Sequence, residues 1–448
     1  MTATTAPNTC ADAASQKTLT VEEAIARILA VEHPRLEVER LPLDQALGRV
    51  LAETVASPID QPNWDHSAMD GYALRHADLS RDPPKWPVSQ RIPAGNQPEP
   101  LAPGTAARIF TGAPVPVGAD TVVVQEICTL ENKGRHGEQL CMAPEDIAHI
   151  KPGANIRQRG EDIRSGDQIL HAGTRLAPQH LALAASVGLA ELAVHRPLRV
   201  AILSSGDELV MPGQPLRPGQ IYNSNRYMLA ALLRALGCEV IDRGMIPDRF
   251  EPTLQALRAA ADQADLVIAS GGVSVGEEDH VRPAVEQLGS LDVARVAMRP
   301  GKPVAVGRIG HAAFIGSPGN PVSLFVTFAL FARPLILKLQ GQIPEQTPEQ
   351  PPGQSPGQRN DMGGAFLPRP RRASADFATQ KPDKRREYRR ARLVHDAEGQ
   401  PRVQVFPSRS SAAITSLTWA DGLVVIPENT QINRGDPVDF LPFSELLT

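Results

Sequence analysis

Three glycine-containing loops of this 448-residue chain carry residue types that can surround an anionic ligand. Glycine lets backbone N–H groups come close to a ligand, and each loop leads toward a predicted helix start, where the helix dipole favours an anion. A single loop of this kind is more often a tight turn, but three at one edge of a sheet predict a site for a phosphate-bearing ligand. The loops are SSGDEL (204–209), SGGVSVGEED (270–279) and GSPGNPVS (316–323), and we expect ligand contacts from Gly206, Gly271, Gly272, Ser274, Gly319 and Asn320.

Carboxylates occur in or near the same loops, where they would repel a phosphate unless a cation lies between them. Mg²⁺ fits that role because it takes few carboxylates and completes its shell with phosphate oxygens and water. Each acid could instead cap a helix. The acids concerned are Asp207, Glu208, Asp248, Glu278 and Asp279.

Two cations flank a Pro-Gly pair in the turn RPGKPVAVG (299–307), namely Arg299 and Lys302. The rigid backbone of such a turn would hold both charges in place to bind an oxyanion. The alternative is an ordinary basic pair on the surface. None of the loops matches G-x-x-x-x-G-K-[ST] or G-x-G-x-x-G, so neither a P-loop nor a dinucleotide-binding fingerprint is predicted.

The N-terminal half contains three further strings that combine glycine with polar side chains. They gather Asp65, Ser67 and Asp70 in one turn, place Thr111 beside a glycine, and set two arginines against two acids. By residue type alone these are structured turns. The strings are PNWDHSAMDGYAL (62–74), RIFTGAPVPVGADTVVVQE (108–126) and NIRQRGEDI (155–163).

Hydrophobic periodicity predicts the elements that position these strings. Within 198–340, short apolar strands at 198–203, 238–241, 266–269, 303–306 and 312–315 alternate with helices, which predicts a doubly wound α/β domain with a parallel sheet covered on both faces. Ligands of such sheets bind outside the carboxyl ends of the strands, and the three glycine loops fall at that edge.

The remainder of the chain divides by composition. Thr20 and Glu23 predict a capping box at the start of a helix. The basic runs RPRRAS and KRREYRRAR are expected to form a solvated face. The predicted units are a disordered tail (1–17), a mixed β-rich N-terminal region (18–197) of two subdomains with one inserted at about 90–150, the α/β domain (198–340), a Pro- and Arg-rich linker or loop (341–385), and a small C-terminal β domain (386–448).

Composition narrows the classes of function. The net charge is −4 and aromatic residues are only 4% of the chain, which argues against a nucleic-acid partner. Cys10, Cys128, Cys141 and Cys238 form no C-x-x-C pair, so a reducing compartment is expected rather than a disulfide framework or zinc site. With no signal peptide and no uninterrupted apolar run of membrane-spanning length, we expect a cytoplasmic protein without a membrane partner.

Seven strings of this chain, taken together and in order, resemble the MoeA family of molybdopterin molybdenumtransferases, which includes the catalytic domain of gephyrin. They are NxxxSAMDGYA, TGAPVP, RGEDI, S-x-GDEL, SGGVSVGE-x-D, PGKP and SPGNPVS. The likeness extends from about residue 19 to the C-terminus. It implies a reaction in which adenylylated molybdopterin and molybdate give molybdenum cofactor and AMP with Mg²⁺, and a molybdopterin-binding-like α/β domain.

The resemblance also implies a homodimer whose active site lies between the α/β domain of one protomer and the N-terminal region of the other. Asp70, Thr111 and Asp162 would face the site from the partner chain. Glu208, Asp248 and Asp279 would handle the metal and the adenylate. Arg299 and Lys302 would bind molybdate with a hydroxyl near Ser411, and a transient contact with a molybdopterin adenylyltransferase is implied as well.

The chain departs from the family at two points. Arg299 stands where lysine is common, and the 341–385 stretch is longer than the usual link. Two other functions stay open at the level of sequence. One is an adenylyltransferase or nucleotide hydrolase on the same α/β fold, and the other is a scaffold or binding protein with a degenerate site.

Overall fold

A computed structural model describes residues 18–31, 34–132, 137–272, 279–301, 303–343, 366–367 and 369–447. The predicted tail at 1–17, Ser274, Glu278, Lys302 and most of the predicted linker lie outside the described residues. The described helices are α1 (Val21–Leu29), α2 (Pro144–Ile147), α3 (Pro178–Ser186), α4 (Asn225–Ala235), α5 (Phe250–Ala261), α6 (Val281–Leu288), α7 (Pro321–Leu339), α8 (Thr415–Trp419) and α9 (Phe443–Leu446).

The N-terminal region is built from short strands. Its larger sheet has the order β7-β4-β6-β5-β9-β8, and three two-stranded pairs, β1-β12, β2-β11 and β3-β10, lie outside it. The strands are β1 (Val38–Pro42), β2 (Val55–Ala56), β3 (His66–Ser67), β4 (Gly71–Leu74), β5 (Lys85–Ile92), β6 (Ala106–Ile109), β7 (Thr121–Val124), β8 (Cys128–Asn132), β9 (Glu138–Met142), β10 (Ile156–Arg157), β11 (Gln168–Leu170) and β12 (Glu191–His195).

The two ends of this region meet, because Val38 of β1 pairs with His195 of β12. The six-stranded sheet therefore lies within a chain segment whose flanks are themselves paired. This sheet begins at Gly71, ahead of the predicted start near residue 90, since β4 pairs with both β6 and β7. The predicted domain boundaries stay predictions.

The α/β domain has a six-stranded sheet of order β16-β13-β17-β21-β20-β18. Helices α4 and α7 contribute to the core on one face, and α5 and α6 pack on the other. The strands of this part of the chain are β13 (Arg199–Ser205), β14 (Leu209–Val210), β15 (Ile221–Tyr222), β16 (Glu239–Ile246), β17 (Leu266–Ser270), β18 (Gly289–Arg295), β19 (Met298–Arg299), β20 (Pro303–Ile309) and β21 (Ala312–Ser317).

The prediction of a parallel sheet is wrong for β20, and it did not include β18. Strands β16, β13, β17 and β21 are parallel, whereas β20 runs antiparallel to both β21 and β18. Only Gly310 and His311 connect β20 to β21, and so short a connection can join only antiparallel strands. The predicted ligand loops follow parallel strands, so they still lie at one edge of the sheet.

Helix α1 begins as its sequence predicts. The Thr20 side chain accepts the N–H of Glu23, and the Glu23 carboxylate accepts the N–H of Thr20, which confirms the capping box. The apolar face of α1, including Ile25 and Ile28, is buried in the same core as α7. Helix α1 thus covers part of α7 before the chain enters the N-terminal region.

Helix α7 is deeply buried, and it begins within the predicted ligand loop GSPGNPVS (316–323). By length and composition it could cross a membrane, but 94% of its most apolar window is buried inside the protein, which is the pattern of a core helix. Its middle turn, Phe328–Ala332, has π-helical geometry. Arg333 and Pro334, which interrupt the apolar run in the sequence, lie within the helix and are buried.

The C-terminal domain is a closed barrel, because β23 pairs with both β24 and β25 in the order β23-β24-β22-β26-β25. Strand β19 of the preceding domain adds to its side through Met298, which pairs with Arg386. The barrel strands are β22 (Arg371–Ala375), β23 (Arg386–His395), β24 (Pro401–Val405), β25 (Gly422–Ile426) and β26 (Pro437–Pro442).

Two expectations for the basic stretches are corrected by this barrel. The run RPRRAS was expected in a linker, but it supplies β22, whose Ala373 and Ala375 are buried in the barrel core. The run KRREYRRAR supplies β23, and Arg389 and Arg390 are 8% and 3% exposed rather than solvated. Arg389 and Arg390 are adjacent on β23 and so point to opposite faces of the strand, where each donates to a main-chain carbonyl, Arg389 to that of Phe406 and Arg390 to that of Ser408.

Candidate functional site

The carboxyl ends of β13, β17 and β21 carry a row of serines. Ser204 pairs in register with Ser270, which pairs with Ser317, and all three are buried. The N–H of Gly271 donates to the Ser317 carbonyl at 3.1 Å, so the second loop turns back across the strand ends. The predicted loops therefore share one edge, which we call the strand-end crevice.

Glycine is required in this crevice where the backbone crosses other groups closely. Gly271 has φ +87°, and a Cβ there would lie 2.6 Å from the Ser205 carbonyl oxygen. Gly272 has φ +65°, and a Cβ there would lie 2.7 Å from Val281. A side chain at either position would push the second loop away from the first.

Two acids at the strand-end crevice are joined by reciprocal hydrogen bonds. Asp248 accepts the Ser205 hydroxyl at 2.6 Å and the Asp207 N–H at 3.1 Å, and Asp207 accepts the Asp248 N–H at 3.1 Å. This reciprocal bonding fixes the loop after β13 to the loop after β16. Glu208 is exposed beside them, and its carboxylate lies against Gly206, where a Cβ would come within 2.4 Å of it.

The three predicted metal ligands are not gathered into a cage. Among the described residues, no group of three or more His, Cys, Asp or Glu side chains is placed to hold a metal ion. Glu208 and Asp248 lie on neighbouring loops, and Asp279 comes just before α6. Oxygen donors of this kind still suit Mg²⁺, which binds one or two carboxylates and relies on substrate phosphates for the rest.

Asn225 joins two of the loops, a role that the sequence analysis missed. Its amide Nδ2 donates to the Gly319 carbonyl at 2.6 Å and to the Ser270 hydroxyl at 3.1 Å. Asn223, just before α4, accepts the Arg226 N–H and so caps that helix. The available signal was the polar string YNSN (222–225), whose asparagines and serine are equally typical of a helix cap.

The basic turn lies where the α/β domain meets the barrel. Arg299 approaches Asp383 at 3.7 Å, and a bidentate bond from Arg385 lowers the pKa of Asp383 to about 2. Beside them is a cavity of about 140 Å³ lined by residues that include Lys381, Arg385 and Arg409. Ser411 is close to the N-terminal end of α7, because its carbonyl accepts the Val322 N–H at 3.0 Å. Gly319 and Asn320 precede the same helix end.

Asp70 and Thr111 form a bonded pair in the N-terminal region. One carboxylate oxygen of Asp70 accepts both the backbone N–H and the hydroxyl of Thr111, each at 2.8 Å. These bonds lower the pKa of Asp70, so the group is ionised at neutral pH. The hydroxyl of Thr111 is thereby oriented with its lone pairs away from Asp70.

The three N-terminal strings converge around this pair. Ser67 donates its N–H to Ala113 and accepts the Gly112 N–H, and His66 pairs with Arg157 across β3 and β10. Asp162 donates its N–H to the Gln61 carbonyl, and its side chain is exposed. Among the described residues, Asp70, Thr111 and Asp162 make no hydrogen bond or ion pair with Glu208 or Asp248 of the same chain. The site residues thus fall into two groups.

Comparison with known proteins covers both parts of the chain in which these groups lie. The sequence matches the family described as "MoeA N-terminal region (domain I and II)" over residues 19–188, "Probable molybdopterin binding domain" over 201–338 and "MoeA C-terminal region (domain IV)" over 372–443. A protein of Haemophilus influenzae named molybdopterin molybdenumtransferase is 38% identical over 96% of this chain and its own full length. The chain belongs to the MoeA family of molybdopterin molybdenumtransferases.

Other members of the family agree in sequence and in structure. A molybdopterin molybdenumtransferase 2 of Mycobacterium tuberculosis is 38% identical over 89% of this chain and 95% of its own. The crystal structure of a molybdopterin biosynthesis MoeA protein from Pyrococcus horikoshii covers 95% of this chain and 99% of its own, with a TM-score of 0.74 and 30% identity. The sequence-based resemblance and fold class are confirmed.

Proposed function

We propose that this chain transfers molybdenum from molybdate into adenylylated molybdopterin, with release of AMP. The observation that carries the proposal is the presence, in one chain, of the MoeA N-terminal region with its bonded Asp70–Thr111 pair and of the molybdopterin-binding domain with its strand-end crevice. The α/β domain alone would fit an adenylyltransferase or a nucleotide hydrolase equally well.

Each part of the proposed site would bind one charged group of the reactants. Gly206, Gly271 and Gly272 let the strand-end crevice approach phosphate closely, and Ser274 and Asn320 belong to the same loops. Arg299 and Lys302, with Ser411, would bind the molybdate dianion, and Arg in place of Lys keeps the charge while adding a planar fork. The protein would act by positioning and electrostatic stabilisation, without a covalent intermediate on the enzyme.

Mg²⁺ is the metal that the donor set favours. Glu208 and Asp248 would hold it from neighbouring loops, and Asp279 would join them from the start of α6. A bound Mg²⁺ would neutralise phosphate oxygens as AMP leaves. The bond from Ser205 to Asp248, at 2.6 Å, orients that carboxylate before substrate arrives.

A homodimer with shared sites would bring together the two groups, which share no hydrogen bond or ion pair among the described residues of one chain. Asp70, Thr111 and Asp162 of one protomer would complete the crevice of its partner. A cytoplasmic location and a transient contact with the adenylyltransferase that supplies the substrate complete the proposal.

A release assay tests this function. Purified protein receives adenylylated molybdopterin and Mg²⁺, and AMP is measured with and without molybdate. The proposal expects AMP only when molybdate is present. Equal release without molybdate would support a nucleotide hydrolase, and binding without any release would support a scaffold with a degenerate site.

A further inference from the structure

Two arginines face each other on the sheet of the N-terminal region. Arg91 of β5 and Arg108 of β6 are partners in the pairing register, so their side chains stand on the same face. Both guanidinium groups lie over the ring of Phe110, at 4.9 Å and 4.6 Å from its centre. They are therefore within about 10 Å of each other, a separation at which salt screens repulsion only in part.

This pair has no acid that neutralises both charges. Among the residues that the structure describes, neither Arg91 nor Arg108 forms an ion pair. Arg108 donates to the Gly71 carbonyl at 3.1 Å and to Gln125 at 2.6 Å. Asp70 lies near enough to Arg108 for that cation to contribute to the lowered pKa of the carboxyl, but the two form no ion pair among the described residues. Like charges at paired positions of neighbouring strands repel each other, and an anion bound between the two arginines would relieve that repulsion.

The cationic face borders the Asp70–Thr111 pair directly. Phe110 precedes Thr111, and the Gly71 carbonyl that holds Arg108 follows Asp70. Contact with the Phe110 ring orients both guanidinium groups. A preorganised pair of planar cations beside a polar pair is suited to a phosphoryl oxyanion, which arginine binds through two parallel N–H groups.

We propose that Arg91 and Arg108, held on Phe110, form a subsite for a phosphoryl group of the substrate. This rests on the proposed function and deepens it, because the N-terminal region then binds substrate charge as well as completing the active site. Arg91 is the better probe, since it is exposed and no hydrogen bond ties it to the Asp70 turn.

The test is steady-state AMP release by the full-length protein carrying Arg91→Ala. The subsite predicts that KM for adenylylated molybdopterin rises about tenfold, the loss of one charge-assisted contact, while kcat falls far less. Arg91→Lys recovers part of the loss. Arg40→Ala, which removes an exposed arginine of β1, serves as the matched control and leaves KM unchanged.

A binding measurement separates the subsite from the rest of the site. Inorganic pyrophosphate in the presence of a chelator, which removes divalent cations, should raise the Tm of the parent protein more than that of Arg91→Ala. The subsite is wrong if Arg91→Ala keeps the parent KM, if Arg40→Ala raises KM equally, or if Arg91→Ala only weakens self-association in sedimentation. In each of these cases molybdate-dependent AMP release by the variants still supports the proposed function, whereas its absence in the parent protein removes that function.

Discussion

Asp70 and Thr111 illustrate how single residues set the chemistry of this site. Both donors of Thr111 reach one oxygen of Asp70, which leaves the second oxygen and the threonine lone pairs for other groups. Because the pair acts through the positions of its polar atoms, its loss should lower kcat more than it lowers the stability of the fold.

Thr111→Val is expected to lower kcat for AMP release on the order of 10²-fold, the lower range for loss of one positioned polar group. Thr111→Ser keeps the hydroxyl and should retain most of the activity. Both variants are compared with the parent by steady-state kinetics and by circular dichroism. Parent-like turnover in Thr111→Val, with an unchanged fold, would remove the hydroxyl from the site.

Asp383 ties the basic turn to the barrel through its charge. The bond from Arg385 lowers the pKa of Asp383 from 3.8 to about 2. A carboxyl whose pKa is lower in the folded state than in the unfolded state stabilises the fold at pH values above its unfolded-state pKa. That contribution is lost as the pH falls through its folded-state pKa. Asp383→Asn should therefore lower stability at pH 7, with a difference from the parent that shrinks between about pH 4 and pH 2. Urea unfolding at several pH values checks this, and a difference independent of pH would contradict it.

At the scale of elements, the barrel positions the loop that contains Ser411. Arg390 of β23 donates to Ser416 at 2.9 Å and to the carbonyls of Ser408 and Ser410 at 2.8 Å and 3.1 Å. One buried cation thus holds both ends of the loop that meets α7.

Arg390→Met is expected to destabilise the protein by about 2 kcal/mol, because it removes the donors to the buried Ser416 hydroxyl and to the carbonyls of Ser408 and Ser410. The freed loop should also raise the molybdate concentration needed for half-maximal AMP release. Arg371→Ala, which removes an exposed ion pair of the same barrel, is the control and should change stability by less than about 1 kcal/mol. Equal effects of the two substitutions on molybdate dependence would contradict this role for Arg390.

Local signals predicted elements well where they were strong. The capping box of α1 follows from Thr20 and Glu23, and the apolar runs at 198–203 and 266–269 correspond to β13 and β17. A strand was predicted at the position of β20, but its antiparallel direction was not, because strand direction depends on connection length and pairing partners. Strand β18 was not predicted. Strand β22 was not predicted, because its basic composition is typical of a solvated segment. The burial of its alanines in the barrel core depends on tertiary contacts that the composition does not show.

The candidate site shows the same limit. Its glycine loops were identified from residue type, but the link from Asn225 to Gly319 joins residues 94 positions apart, and no local pattern predicts it. The burial of Arg390 is likewise a property of barrel closure rather than of the run KRREYRRAR. Long-range contacts become visible only when the strands are paired.

In the whole molecule, the proposed function requires two groups of residues, which share no hydrogen bond or ion pair among the described residues of one chain, to act on one substrate. The most direct measurement mixes two inactive proteins, Asp70→Asn and Asp279→Ala, under conditions that exchange subunits, and follows molybdate-dependent AMP release. If each site takes Asp70 from one protomer and Asp279 from the other, a mixed dimer holds one intact site, and random exchange should restore about a quarter of parent activity. Activity that stays at the level of the separate variants, although exchange is shown to have occurred, would contradict the shared site.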